Sequence, residues 1–182
     1  MIYFAGFGAV TVPLDPERIE YRSDWEQFVL FFSGSLTSFG LAIGGLAWQA
    51  GHAGDANGKL FAGMNLAVGA FNLIPFGRSD GDRALTAVCD GLNERDGALM
   101  AAAVCVAAVY GFGTVAAHAH LPTIVVRPVL AALVIIAAWR IMRPRDPDAW
   151  QDPSVMSRAR ALACGVALVL LLGASGVLSR FV

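Results

Sequence analysis

Charge is scarce in this sequence. Asp, Glu, Lys and Arg together make up 15% of its 182 residues, and Lys59 is the only lysine. The apolar remainder, 57% of the chain with a mean hydropathy of +0.61, is more than one soluble core can hide, so the sequence reads as an integral membrane protein. A formal net charge of −1 leaves no basic surface, which argues against nucleic acid as a partner. Cysteine is scarce too. Cys89, Cys105 and Cys164 are odd in number and share no CxxC spacing, and two sit among alanine and valine, so they read as reduced, small apolar fillers. Met1 to Val12 is apolar but has no Lys or Arg before its hydrophobic stretch, so it does not read as a signal peptide; its alternation with Gly6, Gly8 and Pro13 reads as a short hairpin.

What the chain does have is long uncharged runs. Phe28 to Trp48, Leu60 to Phe76, Ala98 to Ala117 and Ala161 to Ser179 are each long enough to cross a hydrocarbon layer of about 30 Å. A fifth run, Leu121 to Met142, fits only if Arg127, beside Pro122 and Pro128, and Arg140 snorkel to opposite interfaces. Trp25, Trp48, Trp139 and Trp150 fall at or near the ends of these runs, as amphipathic rings at headgroup depth should. The predicted fold is an all-α polytopic membrane protein of about five transmembrane helices with a small N-terminal cytoplasmic β element. Residues 1–27 form the β hairpin and a charged connector, 28–90 a first core of two spans, and 91–182 three further spans. Residues 1–27, 77–97 and 140–160 hold ten of the thirteen Lys and Arg residues, which sets that side and the amino terminus in the cytoplasm and the carboxyl terminus outside. The expected location is a bacterial cell membrane, with the lipid bilayer itself as a partner. Gly40 and Gly44 in the first run and Gly69 in the second suit close helix packing.

The most informative stretch is Asn72-Leu73-Ile74-Pro75-Phe76-Gly77-Arg78-Ser79-Asp80-Gly81. It puts an amide, a helix-breaking proline and a carboxylate at the end of a membrane-length run, where polar groups are expensive. Pro75 has no amide hydrogen to give the Phe71 carbonyl, so the backbone loosens beside Asn72, which brings both a donor and an acceptor. If the helix continued, Asp80 would lie about 12 Å beyond Asn72, near the cytoplasmic boundary. Turn chemistry offers a plainer reading: Pro75 and Gly77 stop the helix, Ser79-Asp80-Gly81-Asp82 makes a turn, and Asp80 pairs with Arg83.

The spacing Asn-x-x-Pro-x-x-x-x-Asp-Gly, carried by Asn72, Pro75, Asp80 and Gly81, resembles the second signature of the site-2 protease family of intramembrane zinc metallopeptidases. Ser33-Gly34-Ser35-Leu36 is similar to the small, glycine-containing turn before it, and Met1 to Val12 resembles the family's cytoplasmic strands. The resemblance implies Asp80 as the third protein ligand of a zinc ion, with Asn72, Pro75 and Gly81 lining the active site. It further implies, as activity, hydrolysis of peptide bonds in or beside transmembrane segments of membrane proteins. The family's first signature, His-Glu-x-x-His, occurs nowhere in the chain, whose histidines are His52, His118 and His120. One aspartate cannot hold a catalytic zinc, which wants three protein ligands and a carboxylate for the proton. As written, the chain is expected to be inactive, no residue in it being catalytic. A start codon placed too late, removing the His-Glu-x-x-His helix, is the favoured explanation.

Other readings remain. One is a non-catalytic membrane protein of the same fold that binds partner helices. A small transporter is another, drawn from the broken helix at Pro75, although no second broken segment or repeat accompanies it. A serine protease fails because Ser33, Ser35 and Ser38 start the first span on the inner side while every histidine is expected at or beyond the outer ends, so that no serine and histidine should meet. His118 and His120, expected on the outer side, are read as interfacial rather than as metal ligands.

Overall fold

The architecture is that of a computed structural model, which describes residues 2–5, 8–11, 23–52, 56–76, 79–118, 123–142 and 155–182. At the amino end β1 (Ile2–Ala5) and β2 (Gly8–Thr11) pair antiparallel, with Ile2 opposite Thr11 and Ala5 opposite Gly8. Residues 12–22, most of the expected connector, lie outside the described residues, as do Gly77, Arg78, His120, Pro122 and Trp150. Among the described residues six helices follow: α1 (Asp24–Gly51), α2 (Ala56–Leu73), α3 (Asp80–Asp90), α4 (Glu94–His118), α5 (Thr123–Met142) and α6 (Arg158–Leu178).

α1, α4 and α6 are long and apolar enough to cross a membrane. The other two expected spans differ for reasons legible in their residues. α2 is interrupted by Asn57, Lys59, Asn65 and Asn72 and stops at Leu73, short of Phe76. In α5, Arg127 and Pro128 lie inside the helix, and the apolar stretch runs only from Val126 to Ile136. α1 begins earlier than expected because Ser23 and Glu26 close a capping box: the Ser23 hydroxyl accepts from the Glu26 amide at 3.4 Å and the Glu26 carboxylate from the Ser23 amide at 3.2 Å.

Glycine contacts set the register of the bundle. A Cβ on Gly45 would stand 3.0 Å from the Gly58 carbonyl oxygen, and one on Gly69 the same distance from the Phe39 ring, so α1 and α2 run antiparallel. That register brings Ser35 level with Asn72 and Leu73. α4 and α6 run parallel: Gly165 meets Met100, Gly111 meets Leu172 and Ser175, and Gly176 meets Thr114 and Tyr110. The buried core joins Phe28 and Phe39 of α1, Leu66 and Leu73 of α2, Leu85 and Val88 of α3, Val104 of α4 and Leu168 and Leu172 of α6.

Three interhelical polar contacts mark one end of the bundle. Arg158 pairs with Asp96 at 2.6 Å, the Met156 amide donates to Asp24 at 3.2 Å, and the Arg160 guanidinium lies 6.0 Å from the Trp25 ring centre. His52, at the end of α1, and His118, at the end of α4, mark the other.

Candidate functional site

α2 ends where sequence chemistry says it must. Pro75 carries no amide hydrogen, and the last turn closes by a bond from the Ile74 amide to the Phe71 carbonyl at 3.1 Å. The chain then turns back rather than continuing as a helix, so Asp80 is folded against the end of α2 instead of lying a further 12 Å along its axis. Ser79 organises the reversal. Its hydroxyl donates to the Ile74 carbonyl at 2.6 Å and accepts from the Phe76 amide at 3.2 Å and the Asp82 amide at 3.1 Å, which uses the full capacity of one hydroxyl. The same contact to Asp82 caps the start of α3.

Gly81 explains the need for glycine after the aspartate. A Cβ there would lie 2.8 Å from Leu73 Cα and closer still to the Leu73 carbonyl carbon and oxygen. Backbone of α3 therefore rests directly on backbone of α2, and Pro75 is fully buried beside this contact. Asp80, one residue before Gly81, is fixed in place by the same contact. Its carboxyl is partly buried, and burial pushes its pKa above the ordinary value of 3.8, while the nearby positive charge of Arg83 pulls the other way. The expected Asp80–Arg83 ion pair does not form. The Arg83 guanidinium instead lies over the Phe31 ring, 5.0 Å from its centre, and acts on Asp80 only through space.

Asn72 is partly buried at the end of α2, and its amide makes no hydrogen bond to any described residue. The structure thus brings Asn72, Pro75, Asp80 and Gly81 to one junction of α2 and α3. Two serines take roles that the sequence reading did not give them. Ser79 was legible as the first residue of a Ser-x-x-Asp capping pattern. Ser35 was not: it is fully enclosed on α1, and its hydroxyl is the one buried side-chain polar atom among the described residues with no partner.

The donor set at this junction does not fit zinc by itself. Among the described residues no three of His, Cys, Asp and Glu come together as a metal site. His118 is remote from Asp80: it ends a helix of 25 residues whose first turn lies at the Asp96 end, about 36 Å away along the axis.

One expectation is corrected outright, for a serine and a histidine do meet. The Ser179 hydroxyl lies 3.5 Å from His118 Nδ1 because parallel α4 and α6 end together. The pair is no nucleophile and base, however. His118 Nδ1 is 2.8 Å from the Thr114 carbonyl, which only accepts, so that nitrogen carries the proton. The Ser179 hydroxyl donates to the Gly176 carbonyl at 2.9 Å. No protein-family model matches the chain, and no characterised protein and no solved structure matches it.

Proposed function

We propose that this chain carries one half of a site-2-protease-like intramembrane zinc site, with Asp80 as one metal ligand and Asn72, Pro75 and Gly81 shaping the wall beside it. The observation that supports this reading most is the Gly81–Leu73 backbone contact. It fixes a partly buried carboxyl at a helix reversal, beside an asparagine with unused hydrogen-bonding groups, in the spacing that carries the family resemblance. In a complete site two histidines and a glutamate absent from these residues would join Asp80, and zinc would supply the hydrolysis of a peptide bond within a substrate's transmembrane segment. These residues alone provide one carboxylate and the Asn72 amide, which is placed to hold exposed backbone; no hydrolytic step is assigned to them. Such a protein would be a membrane hydrolase whose partners are transmembrane segments of other proteins.

The topology proposed with it has five crossings, α1, α2, α4, α5 and α6. The end holding Asp80, Asp96 and Arg158 faces the cytoplasm, together with the β ribbon, and the carboxyl terminus lies outside. Antiparallel α1 and α2 and parallel α4 and α6 are compatible with this alternation. α3, with Ala84, Leu85 and Val88 buried and Arg83 and Thr86 exposed, lies across the inner end.

A second reading, a non-catalytic protein of the same fold that binds partner helices, is favoured by one feature: Met64, Val68 and Phe71 of α2 are exposed along one face. A single experiment separates the two. The protein is epitope-tagged at its native locus and purified from its own membranes, then analysed for size and zinc. A species heavier than 19.1 kDa plus the mass of the tag, with one zinc per chain that is lost in Asp80→Ala, is the expected result. A species of 19.1 kDa plus the tag, without zinc, would reject the metallopeptidase reading in favour of the helix-binding one.

A further inference from the structure

Asp80 and Arg83 stand three residues apart at the start of α3, a spacing that makes side chains neighbours on one helix face. A carboxylate and a guanidinium so placed are expected to pair. Instead the Arg83 guanidinium lies over the Phe31 ring of α1, 5.0 Å from its centre. Arg83 is exposed and its stem is long and flexible, so the guanidinium has two resting places, the ring on α1 and the carboxylate on its own helix.

The two places are close in strength, because a cation on an aromatic face and an exposed ion pair at this spacing contribute similar amounts. A small change on either side therefore tips the balance. Phe31 is the fixed side: it is partly buried and packs against the core that holds Phe28 of α1 with Leu85 and Val88 of α3. Arg83 is the side that can move.

We infer that Phe31 is a positioning residue for Asp80: its ring draws the Arg83 guanidinium aside, which leaves the carboxylate open to an external cation instead of neutralised by a neighbour on its own helix. Phe31 acts through Arg83 and not on the ion itself. A shift of α1 against α3 that carried the ring away would let Arg83 swing onto Asp80 and close the site. The inference deepens the reading of Asp80 as a metal ligand and rests on it, but the two fail separately. Zinc analysis reports whether an ion sits at Asp80, whereas the coupling of Asp80 to Arg83 is measured without any metal.

A double-mutant cycle tests it. Thermal unfolding midpoints at pH 7 are measured by circular dichroism in one detergent for Asp80→Asn, Arg83→Gln and the two combined, first with Phe31 in place and then in Phe31→Leu. With Phe31 in place the two shifts are expected to add within about 1 °C, because the carboxylate and the guanidinium are apart. In Phe31→Leu the combined variant should lose about 2–4 °C less than the sum of the single losses, the signature of a new ion pair. Phe31→Tyr keeps an aromatic face and should restore additivity. A purely structural role for Phe31 would lower every midpoint without coupling Asp80 to Arg83. Should Phe31→Leu not fold, nuclear magnetic resonance of the unsubstituted protein decides: the Arg83 Nε proton should be shifted upfield by the ring current and should not move in Asp80→Asn. Additivity in both backgrounds, equal coupling in both, coupling that persists in Phe31→Tyr, or an Arg83 proton without the upfield shift would each overturn the inference.

Discussion

Replacing Gly81 with alanine is the sharpest test of how the α2–α3 junction is held. The added methyl would lie 2.8 Å from Leu73 Cα, whereas two carbons in contact sit about 3.5–4.0 Å apart, so the helices must separate by at least ~0.7 Å. The neighbouring atoms are backbone, which cannot rotate away as a side chain would. Overpacking of this kind costs about 1–3 kcal/mol, and the rigid neighbour puts Gly81→Ala near the upper value. Alanine's better helix propensity returns at most about 1 kcal/mol, and less so close to a helix start. The net loss is therefore about 2 kcal/mol, or roughly 4–8 °C in the midpoint of thermal unfolding for a chain of this length. Gly44→Ala is the matched control: it makes the same chemical change on a helix with nothing within 4 Å, and should be neutral or stabilising by up to about 1 kcal/mol. Both are measured by circular dichroism in one detergent. Equal midpoints for the two variants would refute the claim that backbone contact at Leu73 positions Asp80.

Ser35→Ala should stabilise the protein by about 1 kcal/mol in the same assay, because it removes an enclosed hydroxyl that has no partner. Ser79→Ala should have the opposite sign and cost about 2 kcal/mol, since one hydroxyl there holds three backbone groups of the turn. Asp80 sets a pH dependence. Its folded pKa lies above the unfolded value of 3.8, so the native state binds the proton more tightly, and stability falls as pH rises from 3.8 through the folded pKa. Asp80→Asn should flatten that slope, and unfolding midpoints measured from pH 3 to 7 decide it. Arg158→Gln should change stability by at most about 1 kcal/mol, because the Arg158 side chain of the pair with Asp96 is 65% exposed.

Much of the helix pattern was readable because apolar run length and charge position are local properties. α1, α4 and α6 each fall within a few residues of where uncharged runs between charged ends place them. α3 was not anticipated: charges at Asp80, Asp82, Arg83 and Asp90 made its eleven residues read as a turn, although Ala84, Leu85 and Val88 share one helical face. At the candidate site, the break at Pro75 and the glycine after Asp80 were visible as residue types. Their reason, α3 backbone seated on Leu73, depends on a reversal through Ile74 to Ser79 that no spacing rule encodes. Ser35 illustrates the limit, since nothing in Ser33-Gly34-Ser35-Leu36 distinguishes the enclosed serine from its exposed neighbour Ser33, whose hydroxyl bonds the Leu30 carbonyl at 2.9 Å. The meeting of Ser179 and His118 was unreadable for a related reason, because it arises from two parallel helices that are separated by α5.

The parallel seam of α4 and α6 also constrains biogenesis. Gly111 can receive Leu172 and Ser175 only after α6 has been translated. Until the ribosome has made that later stretch, the notched side of α4 stays uncovered. A polypeptide released at Met142 would contain every residue of the Asp80 junction and still lack the helix that completes its scaffold, leaving a product for quality-control proteases rather than a smaller working protein.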